Sequence, residues 1–182
     1  MKTAIQIGVL LLLVATAGAE RKRDPLTEAE ADQLREVRME PYQRLKLFTK
    51  FAEARLDSID KLQADPKEAE GRGRKIHDVL EDFTAVLDEL SSNLDTYEAE
   101  PMDKEHDKQF HKGLKEVILA GDRFHARLRA LKNAAQNDSV TGREAKEYMF
   151  ALQDAQEALQ STVDMAHEYA EVKKDAPAEN KK

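Results

Sequence analysis

The sequence predicts an all-α protein, an antiparallel up-down four-helix bundle of long helices with a short extra helix on its N-terminal side. The first observation is apolar spacing. Ile76, Leu80, Phe83, Leu87, Leu90, Leu94 and Tyr97 recur in alternating steps of four and three, and two later stretches keep the same rhythm. Steps of that kind trace the seam of a left-handed helical bundle. The second is punctuation: capping boxes and prolines stand where helices should begin. The third is composition. Of 182 residues 36% are charged, with only 7 Gly and 5 Pro, which suits long charged helices and disfavours a turn-rich β-sandwich.

The chain opens with MKTAIQIGVLLLLVATAGAE. Lys2 gives a short positive region, Ile5 to Val14 an apolar core, and Ala17-Gly18-Ala19 a small-residue cleavage site. Residues 1–19 therefore read as a Sec-type export signal cut near Ala19. The competing reading is an uncleaved anchor, but the run is shorter than the ~20 apolar residues a spanning helix needs. Arg21-Lys22-Arg23 just past the cut opposes translocation, partly offset by Glu20 and Asp24. The expected product is exported, periplasmic or secreted, with no stable membrane insertion.

Residues 20–26 form a linker and 27–173 the helical domain. Thr27-Glu28-Ala29-Glu30 is a capping box, with Leu26 as its hydrophobic staple, and starts a short helix over 27–39. Pro41 starts the second helix, 41–63, because a residue before proline is pushed out of the α region. Its apolar face holds Leu45, Phe48, Ala52, Leu56, Ile59 and Leu62, with Leu47 and Phe51 beside it. Asp65-Pro66-Lys67-Glu68 opens the third helix, 66–98, with proline at the first helical position. Gly71 and Gly73 weaken that start, so the helix can instead begin at Arg74. Pro101 opens the fourth, 102–136, whose seam is Phe110, Leu114, Val117, Gly121, Phe124, Leu128, Leu131 and Ala135. Thr141-Gly142-Arg143-Glu144, preceded by Val140, opens the fifth, 141–173, with Gln156 its one polar seam member. Short connections predict antiparallel neighbours. Residues 174–182, rich in Lys, Ala and Glu, are expected to be disordered.

Chemistry is harder to find. Zero Cys excludes disulfides, thiol nucleophiles and zinc–thiolate sites. A net charge of −7 disfavours nucleic acid as a partner. No G-x-S-x-G, H-E-x-x-H, Walker A loop, dinucleotide glycine fingerprint or haem-attachment motif occurs. Gly71-Arg72-Gly73-Arg74 has no strand before it and reads as a loose helix start. Asn137-Asp138-Ser139 matches a glycosylation acceptor, a three-residue pattern that also arises by chance. Buried di-metal centres need Glu and Glu-x-x-His on the bundle interior, and the seams of the third and fourth helices carry neither.

Asp103/His106, Asp122/His125 and Asp164/His167 each place Asp and His on one helix face. If the third and fourth helices lie antiparallel and adjacent, His77 and His125 come level, with Asp78 and Asp122 nearby. His77, Asp122 and His125 are therefore the candidate ligands of a surface Zn²⁺ or Cu²⁺ site. The competing reading is flanking histidines that merely tolerate solvent. No cofactor and no catalytic residue is expected. Tyr42, Phe48 and Phe51 either receive the short first helix or form an exposed partner site.

Over RLKLFTKFAEARLDSIDKL (44–62) and GRGRKIHDVLEDFTAVLDELSSNLDTY (71–97) the chain resembles a group of uncharacterised exported all-helical proteins of bacteria. It is less similar to the periplasmic Spy/CpxP group of helical chaperones, marked by LTxxQ. Here the motif is Leu26-Thr27-Glu28-Ala29-Glu30, occurring once and ending in Glu. The first resemblance brings no activity, and the second implies a holdase that shields unfolded clients. The expectation is a non-enzymatic envelope protein acting through protein–protein contacts, with an unidentified protein partner and a possible homodimer. The alternatives are a stress chaperone or a weak Zn/Cu-binding protein.

Overall fold

The computed structural model describes residues 24–99, 101–137 and 141–172, and they form five α-helices that pack on one another. The export signal, residues 20–23 of the linker, the Asn137-Asp138-Ser139 acceptor and the 174–182 tail lie wholly or partly outside the described residues, as do the side chains of Thr141 to Arg143. Among the described residues no strand occurs, and no helix is long and apolar enough to cross a membrane.

Helix α1 spans Glu28–Glu36. The Thr27 side chain accepts from the Glu30 amide at 3.2 Å, and Glu30 Oε2 accepts from the Thr27 amide at 2.9 Å. Both halves of the capping box are thus formed. α1 stops three residues earlier than predicted, because the chain turns at Val37, whose carbonyl accepts from the Glu40 amide. Helix α2 spans Pro41–Ala64 with proline in its first turn, as the sequence implies.

The predicted third helix is divided. Asp65 caps only a single 3-10 turn, Pro66–Glu68, and α3 runs Arg72–Ala99. The break falls at Gly71, whose φ of 66° lies in the left-handed region that a side chain disfavours. Gly73 has a different role. A Cβ there would lie 2.6 Å from the backbone oxygen of Glu144, so the bare glycine lets the last helix of the chain approach closely.

Helix α4 spans Lys104–Asn137, two residues later than predicted, because Asp103 is the operative cap. Its Oδ1 accepts from the amides of Glu105 and His106 at 3.0 and 2.9 Å. Helix α5 spans Thr141–Val172. Helices α3, α4 and α5 are each roughly 40–50 Å long.

The order of packing differs from the order of the chain. α3 packs on α5, α5 on α4, α4 on α2 and α2 on α3, and the α3–α5 contact is the most extensive. Consecutive α3 and α4 are not packed along one another, contrary to the expectation of adjacent neighbours. They meet instead through rings, Phe83 on Phe124 at 5.9 Å and Tyr97 on Phe110 at 5.7 Å. The α3–α5 pairing is parallel: Gly73 meets Glu144, Ser91 meets Thr162, and Asp95 meets Tyr169. So is α2–α4, where Leu45 meets Gly113 and Asp57 meets Arg127.

Close parallel packing explains residues outside the heptad seam. Ala151, Ala155 and Thr162 are buried on α5, a second stripe of small side chains beside Leu152, Leu159 and Val163. Gly121 serves the α4–α5 contact, since a Cβ there would lie 2.3 Å from Val163 Cγ2. The core is otherwise aliphatic and aromatic, and Thr49 and Thr162 are its buried polar residues among those described. Each buried Leu or Phe contributes ~1.5–3 kcal/mol against remaining in water, which outweighs local helix propensity.

Candidate functional site

Because the interior is apolar, the polar chemistry sits in the grooves and on the outer faces. The best-ordered polar assembly fastens α1 to α2. Arg55 donates from both terminal nitrogens to the two carboxylate oxygens of Glu30, and Nη2 also donates to the Pro25 carbonyl at 2.7 Å. Both side chains are only 13% exposed, so this pair is shielded far better than an ordinary surface ion pair. Burial pushes the Glu30 carboxyl up, but the Arg55 bonds and charge and the Thr27 donors outweigh it, holding it below the usual range. The same Glu30 bond raises Arg55 further. Arg44 adds a bond from Nη1 to the Leu34 carbonyl at 2.9 Å, while Leu34 is buried. Phe48 and Phe51 are buried too, 6.5 Å apart edge to face. Burial favours the docking reading for that pair over an exposed partner site. Tyr42 is half-buried, with the Lys112 ammonium 3.9 Å from its ring centre.

On α2 and α4, Arg127 bridges Asp57 at 2.8 Å and Asp60 at 2.5 Å. Beside it lies a cleft of ≈ 360 Å³ between Leu56, Ile59, Leu128 and Leu131. At the other end of the rods, the Tyr169 hydroxyl donates to Asp95 Oδ1 at 2.5 Å. That bond, with burial and the charges of Asp95, Glu168 and Glu98, pushes the phenol up to about 12.

The predicted ligands His77, Asp122 and His125 do not form a group whose donor atoms all lie within 4.8 Å. His77 is on α3, Asp122 and His125 are on α4, and these helices are not edge neighbours. The level register expected across the 98–102 connection required adjacency. His77 instead faces two carboxylates of its own helix. Its Nδ1 is 3.5 Å from Asp78 Oδ1 and 3.8 Å from Glu81 Oε2. Among the described residues this is the group of three potential ligands within 4.8 Å of one another. The i,i+4 spacing puts His77 and Glu81 on one helix face, whereas Asp78, the next residue, carries no such signal.

The remaining histidines have other settings. His106 Nδ1 is 2.9 Å from Asp103 Oδ2 at the start of α4. The His106 amide and side chain both hold the Asp103 carboxyl below its usual range. His111 Nε2 lies 4.0 Å from Asp107 Oδ2, one turn before it on α4. Leu26 and Thr27, the segment similar to LTxxQ, are engaged in starting α1: Thr27 caps it and the Leu26 amide bonds Asp24.

No family model, curated protein or solved structure matches this chain.

Proposed function

We propose that the chain is a non-enzymatic, exported protein of the bacterial envelope that acts by binding other proteins. In this reading the four long helices form a four-helix bundle with up-down directions and α3 and α4 on its diagonal. The supporting observation is the closed interior. Apolar side chains fill the space between the helices, so recognition falls to the outer faces of the rods. Those faces are charged and mixed in sign, which suits selective protein contact better than membrane or nucleic-acid binding. Against them Phe150 stands 81% exposed on α5, and aromatic residues, Phe among them, are enriched in protein interfaces over the rest of the surface.

The test is a crosslinking pull-down of the tagged, exported protein from its own host, quantified by mass spectrometry, alongside a Phe150→Asp variant of verified helicity. One dominant stoichiometric partner, lost in the variant, is the expected result. A broad client spectrum that grows under envelope stress would overturn it in favour of a holdase.

A further inference from the structure

We propose that His77, Asp78 and Glu81 on α3 form a binding site for one divalent first-row transition ion of the Zn²⁺, Ni²⁺ or Cu²⁺ class. The donors are one imidazole nitrogen and two carboxylate oxygens. Imidazole selects for this group of metals, while a carboxylate-only set would favour Mg²⁺ or Ca²⁺. The chain has no Cys to offer a softer alternative.

The distances fit the chemistry. With metal–ligand bonds of ~2.0–2.2 Å, tetrahedral ligand atoms stand roughly 3.3–3.6 Å apart. His77 Nδ1 already stands 3.5 Å from Asp78 Oδ1 and 3.8 Å from Glu81 Oε2, and all three donors lie within 4.8 Å of one another. Small side-chain rotations complete the triangle. Three protein ligands leave at least one position for water or for a donor from another molecule.

Preorganisation comes from the fold. His77 follows Ile76, which is fully buried, and stands one turn after Gly73, where α5 packs too closely to admit a Cβ. The imidazole is itself about two-thirds covered, at 34% exposure, while Asp78 and Glu81 face outward. The backbone carrying the three donors is thus held by packing before any ion arrives. The nearest lysine in sequence is drawn aside: Lys75 Nζ bonds Glu68 Oε2 at 2.5 Å. No other described histidine has two carboxylates within 4.0 Å among the ion pairs of the structure. This inference does not depend on the interaction reading above.

The test is isothermal titration of the full-length chain and of the exported form with ZnCl₂ and NiCl₂, plus Cu²⁺ electron paramagnetic resonance to detect nitrogen coupling. About one equivalent should bind more tightly than ~0.1 mM. His77→Ala should weaken binding by about tenfold or more and remove the nitrogen coupling, and Glu81→Gln should weaken it severalfold. His125→Ala should leave both readouts unchanged. All three positions are at least partly exposed, and circular dichroism checks the fold of each variant. Failure to bind at ~0.1 mM, binding indifferent to His77→Ala and Glu81→Gln, or equal loss in His125→Ala would each overturn the assignment.

Discussion

Glu30→Gln tests the fastening of α1 directly. The substitution keeps the shape of the side chain and removes its charge. Glu30 accepts from both Arg55 terminal nitrogens and from the Thr27 amide. The amide keeps one acceptor oxygen, so one of the two Arg55 bonds is lost together with the charge assistance. Hydrogen bonds to charged groups contribute about 1.5–3 kcal/mol each, and low exposure keeps solvent from screening the pair. An upper limit follows from α1 itself. Nine residues long, it buries only Leu34 fully, with Leu26 partly covered. Docking of that size is worth on the order of 3–5 kcal/mol before entropy is subtracted. The variant should therefore release α1 and leave the four long helices folded. Hydrogen–deuterium exchange reads this separately for each segment. Protection in 28–36 should fall about ten- to a hundredfold, with that of α2 to α5 little changed. A uniform loss across all helices would refute the view of α1 as a separately fastened element. Unchanged protection in α1 would refute the importance of the ion pair.

The same pair sets a pH dependence. The Glu30 carboxyl is held below its usual value of 4.5 in the folded chain. A depressed carboxyl contributes stability that is fully present above the unfolded value and is lost as pH falls through the folded one. Release of α1 should begin below about pH 4.5, and Glu30→Gln should abolish that part of the acid response.

Three further substitutions probe the core and one end. Leu87→Ala empties a fully buried site on α3 and should cost ~2–5 kcal/mol by urea denaturation; a cost below ~1 kcal/mol would show that the site is not close-packed. Gly121→Ala forces a methyl group onto Val163, for ~1–3 kcal/mol lost, and Val163→Ala in the same chain should recover part of it. Tyr169→Phe removes the bond to Asp95 and should cost ~0.5–1.5 kcal/mol, with faster exchange limited to the last turns of α5.

The long helices were legible because apolar spacing and caps pointed the same way. Leu80, Phe83, Leu87, Leu90 and Leu94 stand on the predicted seam and are all buried. Starts were legible to within a few residues, and the misses have specific causes. Asp103 outcompeted Pro101 as a start signal because its side chain satisfies two first-turn amides. Gly71 breaks the third helix by adopting a positive φ, and α3 begins at Arg72, two residues before the alternative start that the two glycines suggest. The candidate site is half legible. His77 and Asp78 stand in the sequence reading, but Asp122 and His125 lie on a helix that α3 does not pack along, and Glu81 lies outside the Asp-x-x-His pattern.

A short connection fixes that α4 starts near the end of α3, but it does not choose the helices that α4 packs along. Side-chain size at the contacts does. α5 carries Ala151, Ala155 and Ala158 beside its large residues, and α3 answers with Gly73 and Ser91, so their backbones can come close. α4 meets α2 and α5 through Gly113 and Gly121 in the same way. The α3–α4 contact instead holds Phe83, Phe124, Tyr97 and Phe110, rings too large for close helix approach. Small residues thus mark the extensive helix contacts, and aromatic rings the sparse one. By this logic Gly121→Phe should do more than destabilise: a ring there pushes α5 from α4, and the Ser91–Thr162 bond, next to Val163 on the α3-facing side of α5, should loosen with it. Loss of protection confined to the α4–α5 contact would refute that coupling.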